Sequence, residues 1–292
     1  MIIEVNIHSH EADAAVVEVA EVKTSLIRRS EDTMEPPSVV INECISVYER
    51  VGGREEKFLL ADSGPGRGGI FIFGREPWLQ YLVTTSLYID GTFNIPPKLF
   101  HQVFAILAEK LGGVHPICYQ QLPNKEYATY VRMFEMLMSL VPNLAPHYVH
   151  CDFEQAVINT VRKCFPESTI KGCFFHLVQS MQRHIASSGL RRRYNTDPEF
   201  ATYTKRITAL AFVPQADLDS HIDALASELP SDLEPVLTWS ECNYVGVYNR
   251  RGNRRNPILP YDLWNVYETT LNDEDRTNNY AEACHRKLAY EL

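Results

Sequence analysis

Residues 87–93, Leu87-Tyr88-Ile89-Asp90-Gly91-Thr92-Phe93, decide the reading of the chain: a strand-like apolar run that ends on a carboxylate. Just after it, Val103-Phe104-Ala105-Ile106-Leu107 is a continuous apolar run of the kind buried strands show. Gly112-Gly113 turns the chain into a third candidate strand, Val114 to Tyr119, where Pro116 suggests an edge position. Three strands with short connections predict an antiparallel meander.

Further along, the period changes. Tyr127, Tyr130, Val131, Phe134, Leu137, Met138 and Val141 recur at helical spacing from about Lys125, and Pro142 closes the run. A short strand over 147–152 follows, then a helix carrying Val157, Thr160, Val161 and Cys164 and stopped by Pro166. A fifth strand, Thr169 to Cys173, runs into a helix from Phe174 to about Ser188, with Gly189 as its C-cap. If the helix before 147 is a right-handed crossover, the strand ending in Asp152 lies parallel to the strand ending in Asp90.

Between 191 and 275 the pattern is mainly helical. Asp197-Pro198 reads as an N-cap with proline at the first helical position, and Phe200, Tyr203, Ile207 and Leu210 form an apolar face. Leu218, Ile222, Leu225 and Leu229 mark another helix. A last helix starts near Thr277-Asn278-Asn279, turns Ala281, Cys284 and Leu288 inward, and places Glu282 and His285 one turn apart.

Upstream, residues 1–38 carry many acids and the Glu35-Pro36-Pro37 breaker and read as a poorly ordered leader. Residues 39–83 are a mixed segment with turns at Gly52-Gly53 and Gly64-Pro65-Gly66 and an apolar stretch from Ile70 to Phe73. The expected organisation is therefore 1–38 leader, 39–83 mixed segment, 84–190 core, 191–275 helical insertion and 276–292 final core helix. With 45% hydrophobic and 22% charged residues, the 292-residue chain can bury a core. It has no run of roughly 20 apolar residues to span a membrane. Glu4, Glu11, Asp13 and Glu18 interrupt any signal-like apolar region, so the protein is expected inside the cell. Seven cysteines without a C-x-x-C pair fit free thiols in a reducing compartment. A net charge of −9 lacks the basic signature of a dedicated DNA-binding domain, so any anion contact has to be local. Arg191, Arg192 and Arg193 form one basic run and Arg250, Arg251, Arg254 and Arg255 another; each fits a solvated loop or a phosphate contact.

Asp90 and Asp152 each end a candidate strand, and neighbouring strands lie roughly 4.8 Å apart, so carboxylates at matching ends can share a cation. Two hard cations about 3.5–4 Å apart activate a water or a 3′-hydroxyl and stabilise the leaving oxygen of an in-line attack at phosphorus. Oxygen ligands suit Mg²⁺ or Mn²⁺, and Glu282 on the late helix supplies a third. Taken singly, each residue has a plainer role. Asp90 before a glycine fits a turn, Asp152 an N-cap, and Glu282 a solvated helix position.

These segments resemble the Mutator-like element (MULE) transposase domain, a branch of the DDE transposases, over roughly Ile70 to Tyr290. Asp90-Gly91-Thr92-Phe93 matches that family's D-G-T-F segment, and Asp152-Phe153-Glu154-Gln155-Ala156 its D-x-E-x-A-like segment. Cys173-Phe174-Phe175-His176 matches its C-x-x-H signature, and Thr277 to His285 its T-N-N-x-x-E-x-x-H pattern. The resemblance implies an α/β, ribonuclease H-like fold, with a mixed five-stranded sheet flanked by helices and an α-helical insertion before the last acid. It implies Asp90, Asp152 and Glu282 as a catalytic triad holding two Mg²⁺ or Mn²⁺ ions. Cys173, His176 and His285 are accessory candidates. C-x-x-H is half of a four-ligand zinc site, and Cys173 equally fits structural packing. His176 fits either a place near the site, touching DNA or orienting a ligand, or a packed core histidine. Arg191, Arg192 and Arg193 are candidate DNA contacts.

The resemblance implies a nuclear DNA transposase that cuts and joins strands at transposon ends and target DNA, as a homo-oligomer or alone and without a membrane. Two departures from the family stand beside this. No Cys/His cluster of a zinc-binding recognition module precedes Ile70, and the chain stops ten residues after Glu282, as a fragment, a decayed copy or a truncated gene model would. A second reading is therefore a host-retained descendant that binds DNA or protein without catalysis, and a third is a nuclease of the same fold acting on RNA or hybrids.

Overall fold

The structure, a computed structural model, describes residues 58–64, 68–93, 100–110 and 112–290, with side chains to Arg286 in the last helix. The expected leader, the part of the mixed segment before Phe58 with its Gly52-Gly53 turn, Pro65-Gly66 and the Leu288 side chain lie outside the described residues. The chain divides into two compact units, one formed by residues up to Pro146 with Tyr280–Leu292, the other by His147–Asn279. This division falls inside the stretch read from sequence as one core, 84–190.

In the first unit, β1 (Leu59–Asp62), β2 (Phe71–Gly74), β3 (Ser86–Thr92), β4 (Gln102–Lys110) and β5 (Gly113–Leu122) line up in the order β1-β2-β5-β4-β3. Every pairing within this run is antiparallel. The expected meander is β3-β4-β5, and its second turn rests on Gly112, at φ 75° in the left-handed region. Alternation along each strand sorts side chains to two faces. On one, Gln102 and Phe104 meet Tyr130 of α1 (Tyr127–Leu140), whose Tyr130, Met133, Phe134 and Leu137 are buried. On the other, Phe71, Phe73, Tyr88, Val103, Ala105, Leu107 and Tyr119 form a cluster with Ala281 and Cys284 of the last helix, Asn279–Tyr290. Each large side chain buried there contributes about 1.5–3 kcal/mol of hydrophobic stabilisation.

Pro116 is not on an edge strand, since β5 lies between β2 and β4. It is tolerated because β2 pairs only with Cys118 to Gln121, and because the β4 register shifts between Ile106 and Leu107, where Pro116 pairs. A missing N–H costs no ladder bond at that place. The five strands expected from sequence all form, but seven are described. The two additional ones, β1 and β2, come from the mixed segment and are four residues each, too short to show a period.

The second unit opens with β6 (Tyr148–Cys151) and β7 (Thr169–Gly172), parallel and joined through α2 (Gln155–Cys164). Parallel neighbours need such a crossover. The class is therefore mixed α/β, antiparallel in one unit and parallel in the other. Helices α3 (Phe174–Ser187), α4 (Arg191–Thr196), α5 (Pro198–Ala209), α6 (Leu218–Glu228), α7 (Glu234–Ser240), α8 (Tyr261–Trp264) and α9 (Tyr267–Leu271) follow. The expected Gly189 cap of α3 is present at φ 75°, and Asp197 caps α5 by accepting from the Glu199 and Phe200 amides at 3.1 Å. Past α7 the helix widens into a π turn over Glu241–Val245, whose Tyr244 carbonyl accepts from Trp264 Nε1 at 2.7 Å. The last helix, α10 (Asn279–Tyr290), carries the chain back to the first unit. No helix among the described residues is long and apolar enough to cross a membrane.

Candidate active site

Asp90 and Gly91 lie within β3, paired with Ala105 and Phe104, so the turn reading of Asp-Gly does not apply. Gly91 is needed for another reason: a Cβ there would collide with the side-chain oxygen of Gln102. That glutamine is fully buried, donating to Tyr130 Oη at 2.8 Å and the Asn124 carbonyl at 3.2 Å, and it cannot swing aside cheaply. Asp90 points to the opposite face. Its register row across the sheet is Ala105, Tyr119 and Phe73, so the carboxylate, 9% exposed, has an apolar wall and a small cross-strand neighbour.

Helix α10 is fastened to that face at three places. Tyr280 meets Tyr88 edge-on with centroids 5.4 Å apart, Tyr119 Oη and Cys284 Sγ are 3.3 Å apart, and His285 Nδ1 stands 3.3 Å from Asp90 Oδ2. The expected inward turn of Ala281 and Cys284 is seen. Glu282, half-buried, precedes His285 by three residues, one helical turn. The first and third candidate acids thus belong to one unit, on one face of its sheet. The spacing of Glu282 and His285 was legible in sequence; the pairing of His285 with Asp90 was not, because it joins distant segments.

Asp152 follows β6 in the second unit and is half-buried. It is not the N-cap of α2; Glu154 holds that position, and Asp152 Oδ1 accepts from the Glu154 amide at 3.0 Å, which fixes the loop from strand to helix. Two residues earlier, burial pushes the His150 imidazole down to about 4, with Asp275 opposing and Lys171 adding to the shift.

Of the accessory candidates, Cys173 is buried and its Sγ accepts from the Asn278 amide at 3.0 Å, while the Phe174 amide donates to the Arg276 carbonyl at 2.9 Å. The C-x-x-H and T-N-N segments are therefore hydrogen-bonded to each other, a structural role for the cysteine. His176 sits half-buried in the first turn of α3. Arg191 and Arg192 are exposed on α4, whereas Arg193 is engaged by Asp197 and Asp232 and lies 4.4 Å from the Phe200 ring centroid.

Comparison of this chain with known families gives a match over residues 86–180. The matching family is the MULE transposase domain. The matched MULE residues begin with β3 and end within α3, covering Asp90, Asp152, Cys173 and His176. Glu282 and His285 lie beyond them. No curated protein matches the chain.

Proposed function

We propose that this chain is the catalytic core of a DNA transposase, cutting and joining DNA strands at transposon ends and target through Asp90, Asp152 and Glu282. The observation that carries the reading is the buried Asp90 under α10, one turn of which bears both Glu282 and the histidine beside that aspartate. The MULE match covers the first two acids and supports the reading. A ribonuclease H-like core belongs to the same proposal.

The residues fit divalent cations. Three carboxylates form a hard oxygen donor set that suits Mg²⁺ or Mn²⁺. Asp90 is a nearly buried carboxyl group with the His285 imidazole 3.3 Å from Oδ2, and such a group favours a cation close by. When bound, two such ions supply an activated water or 3′-hydroxyl and stabilise the leaving oxygen. The chain's own part is to hold the acids in place. The strand fixes Asp90, the Glu154 amide restrains Asp152, and three contacts of α10 with the sheet set the height of Glu282. On this reading the nucleus is the place of action.

The test is Mg²⁺-dependent nicking of duplex DNA by the purified chain and by Asp90→Ala, Asp152→Ala and Glu282→Ala. Each variant is expected to lose at least about a hundredfold in rate, the loss that removing a cation's charge stabilisation implies. Equal nicking by the variants and the parent refutes the assignment. Preference for an RNA–DNA hybrid over duplex DNA would instead indicate a nuclease.

A further inference from the structure

The basic run at 250–255 is divided by the structure into one arginine that builds and three that are exposed. Residues 246–255 form a hairpin: the Arg255 amide donates to the Val247 carbonyl at 2.9 Å, Tyr248 and Arg254 form an antiparallel bridge, and the Asn249 amide donates to the Asn253 carbonyl at 2.8 Å. Its tip is a three-residue loop in which the Gly252 amide donates to the Asn249 carbonyl at 3.0 Å, with Gly252 at φ 79°. Asn249 Oδ1 accepts from the amides of Arg251 at 2.8 Å and Asn253 at 3.2 Å, which pins the tip. At the base, Gly246 has φ 89° and lies against the Arg255 carbonyl, with no space for a Cβ.

Arg254 is consumed in holding this hairpin to the helices. It donates to Asp219 at 2.6 Å, to Glu241 at 3.2 Å and to the Gly246 carbonyl, and its guanidinium lies 4.3 Å from the Tyr248 ring centroid. Tyr248 Oη in turn donates to Asp219 at 2.8 Å. Arg250 and Arg251, at the two corners of the turn, and Arg255, next to the Tyr248–Arg254 bridge, are exposed and have no ion pair or side-chain hydrogen bond among the described residues. Three guanidinium groups on and beside a pinned loop, without an ion-pair partner among the described residues, stand out in a chain of net charge −9.

We propose that this hairpin is a contact for the phosphate backbone of duplex DNA, an inference that rests on the reading of the chain as a DNA-handling protein. Duplex DNA offers one negative charge per roughly 1.7 Å of axis, a density that three clustered arginines match. Guanidinium forks bind phosphate oxygens in pairs, and a loop already ordered by Asn249 and Arg254 loses little freedom on binding. On a chain that is acidic as a whole, such a patch sets where DNA approaches. Contacts of this kind position a duplex and do not read its sequence.

The experiment measures binding of the full chain to a short labelled duplex in EDTA, between about 50 and 200 mM salt, for the parent and Arg250→Gln/Arg251→Gln/Arg255→Gln. The slope of log K against log salt is expected to flatten by about 2 to 3, and by about 0.9 for Arg250→Gln alone, with the thermal midpoint unchanged. An unchanged slope, or no binding by the parent, overturns the proposal. Polyglutamate held as tightly as the duplex, with an equal loss in the triple variant, overturns it in favour of an acidic peptide. A chain that shows the slope change and does not nick DNA would refute catalysis and leave the hairpin's role standing.

Discussion

A carboxyl group among aromatic and aliphatic side chains is costly to bury unless a polar partner stands beside it, and Asp90 has the His285 imidazole 3.3 Å away. Removing that ring by His285→Ala is expected to lower unfolding free energy by about 1–3 kcal/mol, measured by urea denaturation. The loss should shrink when Asp90 is already asparagine. Strict additivity of Asp90→Asn and His285→Ala would show that the two do not support one another. Single residues were legible where a strong local pattern surrounded them, as with Asp90 at the end of an apolar run. They were not legible where a distant segment decides the role. Nothing local to Gly91 announces the buried Gln102 amide oxygen that forbids a Cβ there, and nothing near Arg254 announces Asp219 and Glu241.

Elements were readable in proportion to their length and period. Helix α1 shows its apolar stripe over fourteen residues, and α5 shows both its cap and its face. The four-residue strands β1 and β2 offer no period, and Pro116 misled because its strand is unpaired only locally. The cap of α5 gives an acid-dependent prediction. Asp197 is held below its ordinary value, foremost by the Phe200 amide and further by Arg193, against an opposing burial effect. A carboxylate depressed in the folded state stabilises above its unfolded value, and that contribution is lost as pH falls through the folded one. Asp197→Ala should therefore lower the melting temperature at neutral pH, with the gap from the parent closing in acid. A gap independent of pH would remove the ionised cap as its cause.

At the level of the whole chain, composition established a core-forming protein, and the order of elements established the α/β class. The division into units was hidden, because contact and not sequence adjacency sets it: the first unit closes with a helix that lies beyond the entire second unit. Stopping the chain after Asn279 removes the helix that covers Phe71, Phe73, Tyr88 and Tyr119. The shortened protein is expected to bind a hydrophobic dye such as ANS and to melt at lower temperature. Dye binding equal to that of the parent would mean the aromatic face is covered by something else. Tyr119 and Cys284, which meet at this face, are 165 positions apart. At roughly 5–20 residues per second of translation, a nascent chain carries a finished but uncovered aromatic sheet for on the order of ten to thirty seconds before its lid emerges from the ribosome. During that interval, holding chaperones and not the fold itself have to keep neighbouring nascent chains apart.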